Sequence, residues 1–394
     1  MNDFRDEITA AQETAVQRTE FYFDSSDGRS RLHALKWLPG SAAEASVVED
    51  GLQGVVLIVH GMVEHIERYD DFARFLAARG YAVYGASHIG HGKSVNSPKD
   101  WGVLPENGAQ VMVSDVHTLR CMARRELGES VPVIVFGHSM GSFVTRSYLA
   151  RYGRGLTAAL ICGTGQQPVA ASRLAGFLSR SIGRRKGFDY RSSFIQNLAM
   201  GSYAKSVENP RTEFDWLNTD PAQVDLYIAD PACGATFSVG GFASLTDLTA
   251  ETAGKACASA VPDALPVLFI AGAEDPVGDK GKGVRAAAEA MRAHSKADVS
   301  LTLYDGMRHE ILNEPGRAAV YADVLSFIRK AVAGADAVAA EAEAVAAAQA
   351  GNESAPAGTP AAEAGSRAME TDEPAGEADK PAAEPKHPAE EASI

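Results

Sequence analysis

The chain is sparing in the features that would place it in several large protein classes. It has 4 cysteines in 394 residues, Cys121, Cys162, Cys233 and Cys257, far apart and with no CxxC pair. That spacing argues against a disulfide framework or a zinc ribbon and suits reduced thiols in the cytoplasm. No run of about 18 apolar residues occurs, so no membrane-spanning helix is expected. The first twenty residues, MNDFRDEITAAQETAVQRTE, contain no apolar h-region, and no secretory signal is expected. There is no basic stripe of the kind nucleic acid requires, and no internal repeat.

What is present is an ordinary globular composition, 45% hydrophobic and 22% charged, with a net charge of −14. The acidity sits mainly at the end. Residues 331–394 carry 13 acidic and 3 basic side chains, among Ala, Glu, Pro and Gly. Such a segment buries too little apolar area to offset its chain entropy, so 333–394 is expected to be a disordered tail. Its first part, AVAGADAVAAEAEAVAAAQA, is rich in helix formers and is expected to extend the preceding helix.

Short β-branched or apolar runs at 19–24, 31–37, 55–60, 81–86, 132–137, 156–162, 266–271 and 299–304 read as strands. SSDG between the first two signals a hairpin. Helical stretches separate the later ones. In YDDFARFLAARG (69–80), Tyr69, Phe72, Phe75, Leu76 and Arg79 recur at three and four residues and Gly80 closes the helix. Near-continuous apolar strands alternating with helices imply a mostly parallel sheet with helices on both faces, an α/β fold. The alternation stops at about 166 and resumes at 263. The expected organisation is an N-terminal extension (1–18), a core (19–165 and 263–332), an inserted helical cap (166–262) and the tail.

VIVFGHSMGSFV (133–144) carries the chemistry. Gly-x-Ser-x-Gly between a strand and a helix is a nucleophile elbow: the turn is tight, and Gly137 and Gly141 are the positions where side chains would clash. Ser139 is the expected nucleophile. In this arrangement an orienting acid and a base follow in that order at later strand ends. PVLFIAG leads into AEDPV and places Asp275 there; VSLTLYDG leads into MRHE and places His309. Glu274 is the neighbouring alternative acid and is expected to point away. His294 reads as a helix end, and His138 as a packed residue facing away from the pocket. Two backbone N–H groups must hold the oxyanion. Met140, after the nucleophile, and Met62, in the loop HGMVEH, are the expected donors, with His60 and Glu64 holding the loop's shape.

HGMVEHIERYDDFARFLAARGYAVYG, HIGHGKS, GHSMGS, AGAEDPV and YDGMRHEILNE together resemble the monoacylglycerol lipase and lysophospholipase branch of the α/β-hydrolases, also called serine aminopeptidase S33-like hydrolases. The resemblance spans about 19–330. It implies an eight-stranded α/β-hydrolase fold with an inserted helical cap, the triad Ser139, Asp275 and His309, backbone donors Met62 and Met140, and hydrolysis of single-chain lipid esters with no metal or organic cofactor. Ser87 stands where relatives commonly have Asp, and Ser142 where Gly is frequent.

The cap is basic within an acidic protein: Arg173, Arg180, Arg184, Arg185, Lys186, Arg191 and Lys205 face one acid, Asp189, over 166–205. In SRLAGFLSRSIG, Leu174, Phe177, Leu178 and Ile182 share a helical face. Two readings stay open, a peripheral membrane contact through 172–191 or simple packing on the core. Phe214, Trp216, Phe237, Phe242 and Leu245 are candidates to line an acyl pocket. Amide or thioester cleavage by the same apparatus, and a non-catalytic scaffold, are the competing functions. Acyl length, head group, oligomeric state and the tail's role are not legible.

Overall fold

In a computed structural model, which describes residues 16–40 and 51–353, eight strands form one sheet in the order β1-β2-β4-β3-β5-β6-β7-β8. β1 (Gln17–Asp24) and β2 (Arg31–Leu38) make the antiparallel hairpin expected from SSDG. β3 (Gly54–Val59), β4 (Tyr81–Ala86), β5 (Val133–His138), β6 (Ala158–Cys162), β7 (Pro266–Gly272) and β8 (Asp298–Tyr304) run parallel, and β2 joins β4 antiparallel.

Every residue of β3, β5 and β6 is buried. Alternate side chains therefore feed two cores. Val56, Ile58, Phe136 and Leu160 pack with Phe72 and Leu76 of α1 (Asp70–Ala77) and with Val324 and Ile328 of the last helix. Val55, Leu57, Val133 and Val135 pack on the other face with Val113 and Val116 of α2 (Gly108–Leu127) and Val144 and Tyr148 of α3 (Met140–Tyr152). At about 25 cal/mol per Å² of apolar area, this two-sided burial is what makes the central strands the stable frame for a site at their carboxyl ends.

From β6 to β7 the chain contains helices and no strand: α4 (Val169–Lys186), α5 (Ser193–Met200), α6 (Pro221–Ala229), α7 (Val239–Thr252) and α8 (Lys255–Ser259). After α9 (Lys282–His294) and β8, α10 runs from Arg317 to Glu353, so the helix does continue into the alanine-rich stretch. No helix among the described residues is long and apolar enough to cross a membrane. Of the expected extension (1–18) and the expected disordered tail (333–394), residues 1–15 and 354–394 lie outside the described residues, whereas 17–18 open β1 and 333–353 are helical rather than disordered.

Of the two readings left open for the apolar face of α4, packing on the core accounts for only part of it. The buried stripe is Ser172, Gly176, Ser179 and Gly183, small residues that let α7 approach closely: Thr249 donates to Ser172 Oγ at 3.0 Å, and a Cβ on Gly176 would lie 2.9 Å from Thr246 Oγ1. Leu178 and Ile182 are half-buried, but Leu174 and Phe177 are 60% and 63% exposed.

Candidate functional site

β5 delivers Ser139 at its carboxyl end with φ 54° and ψ −120°, a strained conformation for a residue with a Cβ. The crowding around it explains both glycines. A Cβ on Gly137 would lie 2.2 Å from Thr145 Oγ1, and one on Gly141 would lie 2.1 Å from the carbonyl of Val59. Ser139 N–H donates to the carbonyl of Cys162 (2.9 Å), tying the elbow to β6. Ser142 is not a neutral replacement: its hydroxyl donates to the Ser139 carbonyl at 2.6 Å.

Asp275 follows β7, fully buried, and one of its oxygens accepts from Val277 N–H at 2.9 Å. His309 follows β8, and its Nδ1 lies 2.9 Å from the other oxygen. An ionised carboxylate there fixes the proton on Nδ1 and leaves Nε2 as the basic atom. Glu274 points to solvent, 3.8 Å from Lys280 Nζ, and His294 ends α9.

The loop HGMVEH packs directly against the elbow, since a Cβ on Gly61 would lie 3.1 Å from Ser139 Cβ. His60 Nδ1–H donates to Gly61 O (2.8 Å), and His60 Nε2 accepts from His88 N–H (2.9 Å). Burial, reinforced by His88 and His91, holds the His60 pKa well below the usual histidine value. Burial takes His88 down to about 3 and His91 to about 4. Glu64 accepts from Gly61 N–H (2.6 Å) and Tyr69 hydroxyl (2.8 Å). Ser87, in the loop after β4, is buried and accepts weakly from Ile66 N–H at 3.4 Å, so it too supports this loop.

A buried polar network lies behind these groups. Arg68 donates to Glu64 Oε2 (2.7 Å) and, with both terminal nitrogens, to Glu310 (2.6 and 2.8 Å). Burial would push Glu64 up, but the His138 hydrogen bond and the Arg68 charge outweigh it and hold its carboxyl well below the usual range. Burial would likewise lower His138, but Glu64 raises it above the usual histidine value. His138 is where expectation and structure differ: it lines the cavity beneath His309, its ring centroid 4.7 Å from that of His309 and its Nε2 3.2 Å from the His309 carbonyl. Arg68, Tyr69 and Glu310 were not anticipated. The available signal was charge beside apolar runs, in IERY and MRHE, where largely buried ionisable groups require partners.

Gly61, Met62, Ser139, Met140 and His309 open into one cavity of about 560 Å³ roofed by α4, α5 and α7. Trp216, Phe214, Phe242 and Leu245 line it, with the Trp216 ring tilted against that of His309 at 5.2 Å between centroids. Phe237 does not. It is fully buried against Phe242 and His91, because the backbone that carries it closes on Gly102 instead. The cavity's size falls in the range of small-molecule sites, and its wall is mostly apolar with polar groups at one end.

A strained elbow serine at the end of a parallel strand, with a later histidine lining the same cavity and a buried aspartate behind that histidine, is the arrangement typical of the α/β-hydrolase fold. The family described as serine aminopeptidase, S33 (Hydrolase_4) matches residues 51–316, and the chain belongs to it. A monoacylglycerol lipase of Mycolicibacterium smegmatis is 30% identical over 287 residues, covering 70% of this chain and 88% of that protein. The mouse monoglyceride lipase is 26% identical over 297 residues, covering 74% and 83%. Among solved structures, a thermostable carboxyl esterase from Bacillus coagulans, crystallised with glycerol, superimposes with a TM-score of 0.73 at 30% identity, covering 80% of this chain and 99% of that one. A soluble variant of the Saccharomyces cerevisiae monoglyceride lipase shares the fold at 16% identity, with a TM-score of 0.60 over 79% and 94%.

Proposed function

We propose that this chain is a serine hydrolase of carboxylic esters of single-chain lipids, monoacylglycerols or lysophospholipids, acting through an acyl-enzyme. The observation that carries the reading is the convergence of Ser139, His309 and the loop of Met62 on one end of a large, mainly apolar cavity. His309 Nε2 takes the Ser139 proton, with Asp275 orienting the ring and stabilising the imidazolium. Ser139 Oγ attacks the ester carbonyl, and the N–H groups of Met62 and Met140 hold the oxyanion. His309 then protonates the departing alcohol. Water, deprotonated by the same nitrogen, releases the fatty acid and restores the serine. The apolar wall supplied by residues 166–262, the lid in this proposal, receives the acyl chain. The activities of these relatives support the ester as the bond cleaved.

The lid also supplies the means of reaching such substrates. Leu174, Phe177, Phe194 and Leu198 are about 60% exposed, and Leu174 and Leu198 continue into the cavity wall. Arg173, Arg184, Arg185 and Lys186 are exposed on the same helix as Leu174. An apolar rim beside cations suits peripheral contact with an anionic lipid surface. By contrast, Arg180 is committed to Asp247 and Glu106, and Arg191 to the carbonyls of Lys99, Trp101 and Thr236.

The test is hydrolysis of a p-nitrophenyl ester series from acetate to palmitate, with 1-monoacylglycerol and lysophosphatidylcholine, by the parent and Ser139→Ala. Matched amide and thioester substrates run in parallel. Long-chain ester cleavage by the parent and none by the variant is expected. Equal inactivity of both on every ester overturns the proposal.

A further inference from the structure

The loop HGMVEH ends on His65, which is 7% exposed. Its Nε2 lies 2.8 Å from Asp230 Oδ2. Asp230 and Cys233 belong to the turn after α6, closed by Cys233 N–H donating to the Asp230 carbonyl at 3.0 Å. One imidazole nitrogen, one carboxylate oxygen and the thiol sulfur all lie within 4.8 Å of one another. Around a tetrahedral zinc, with bonds of about 2.0–2.3 Å, ligand atoms are separated by about 3–4 Å, so small side-chain rotations suffice. Nitrogen, oxygen and sulfur together are a donor set for a borderline-soft divalent ion, and three protein ligands leave a fourth position for water.

A second, independent feature points the same way. His65 Nδ1 is buried and has no hydrogen-bond partner, and Glu67 Oε2 stands 3.6 Å from it. When Nε2 ligates a metal, Nδ1 carries the proton and needs an acceptor, which is how carboxylates support metal-bound histidines. The local charge favours a cation: the nearest guanidinium, Arg68, is already paired with Glu64 and Glu310. Asp230 is about one-third exposed and gives a path in. Its other oxygen accepts from Ala232 N–H at 2.9 Å, which aims Oδ2 at His65.

We propose that His65, Asp230 and Cys233 form a zinc site that ties the turn 230–234 to the loop 60–65. On binding, the Cys233 S–H bond breaks, its proton passes to solvent and the sulfur pair forms the Zn–S bond. The His65 proton moves from Nε2 to Nδ1, facing Glu67. A Zn–O bond replaces the hydrogen bond from His65 to Asp230. No oxidation or reduction occurs. The tie reinforces an existing contact, since Gly234 N–H already donates to the Val63 carbonyl at 2.9 Å, and Val63 itself sits at φ 46° next to Met62.

The experiment uses the full chain carrying Cys121→Ser, because exposed Cys121, with His117 Nε2 3.7 Å from its sulfur, offers a competing pair. Zinc is titrated against a chromophoric chelator under a phosphine reductant, and cobalt(II) is substituted to read the donor set. One zinc per chain, a sulfur-to-cobalt charge-transfer band in the near ultraviolet and a raised Tm with zinc are expected. Cys233→Ser is expected to remove the band and weaken zinc at least tenfold. Glu67→Gln is expected to weaken it about tenfold while keeping the band. Should Ser at 233 disturb folding, Asp230→Asn carries the same expectation of tenfold weaker zinc. Zinc bound equally by the parent and by Cys233→Ser or Asp230→Asn, a cobalt spectrum without sulfur, or no binding at all would each overturn the proposal. None of these readouts depends on hydrolysis.

Discussion

The floor and the roof of the cavity are built by opposite means. The floor is the elbow, the loop HGMVEH and the turn of His309. It is dense with polar groups, and the elbow glycines Gly137 and Gly141 stand where a single added carbon would meet backbone oxygen at 2.4 and 2.1 Å. The roof is helical, joined by a stripe of small residues, and leaves large apolar side chains about 60% exposed. A floor of this kind tolerates almost no change because sterics and buried charge fix each atom. The roof needs only to be apolar and to leave space, so under the proposed function its sequence would govern what enters rather than what reacts.

The largest effect expected from breaking the floor is chemical. Ser139→Ala should lower ester turnover by about 10⁴-fold or more, with thermal stability kept. Residual activity within tenfold of the parent would remove Ser139 from the mechanism. Next is steric: Gly141→Ala should cost about 3 kcal/mol or prevent folding, read as a lowered guanidinium midpoint, because the backbone of β3 cannot yield to it. An unchanged midpoint would mean that the elbow relaxes easily. Glu64→Gln removes the charge that His138 and Arg68 face, and should cost about 3 kcal/mol. An activity loss equal for acetate and palmitate esters, alongside the lowered midpoint, would place the effect in the floor.

The floor also has a pH signature. His60, His88 and His91 are held neutral, with folded pKa values lowered, to about 3 and about 4 for the last two. As pH falls through about 6.5 the unfolded chain takes up protons that the folded chain refuses. Stability is therefore lost on acidification, by up to about 1.4 kcal/mol per pH unit for each histidine, until the folded values are reached. Glu64, lowered, contributes above its unfolded value and loses that contribution only as pH falls through its much lower folded one. His138, raised, contributes below about 6.5 and loses it as pH rises through its folded value. Stability should thus peak near neutrality and fall steeply from pH 6.5 to 4. A flat profile of denaturation midpoints over that range would contradict the burial of these rings.

The roof should give the smallest and most selective effects. Phe242→Ala, at the apolar wall, should lower kcat/KM about tenfold for palmitate esters and less than twofold for acetate, since only the long chain reaches it. Equal losses would show that Phe242 serves folding rather than selection. Arg184→Glu with Arg185→Glu should weaken binding to anionic vesicles several-fold and leave acetate hydrolysis unchanged.

Much of this organisation was legible because it is local. All eight strands appear within a few residues of their expected bounds, the central ones because runs buried on both faces leave a continuous apolar signal. The elbow was legible because one tight turn needs two glycines and a serine at fixed spacing. Asp275 and His309 could be located at strand ends, and the structure brings them to 2.9 Å. The Arg68–Glu310 pair was not legible, because its members are 242 residues apart and meet only when the sheet closes. Neither was the buried face of α4, where hydropathy favours Leu174 and Phe177 and close approach by α7 selects Ser172, Gly176, Ser179 and Gly183.

By itself, the sequence determined what short-range sterics and periodicity control: a parallel α/β core, a tight serine turn and the chain order of the residues that follow it. Only the tertiary structure decided the strand order, the wiring of Glu64, Arg68, His138 and Glu310 beneath the site, and which side chains of the helical segment face the cavity. Those depend on contacts between distant parts of the chain, whose free energy comes from shared burial and paired charge and is carried by no local pattern of residues.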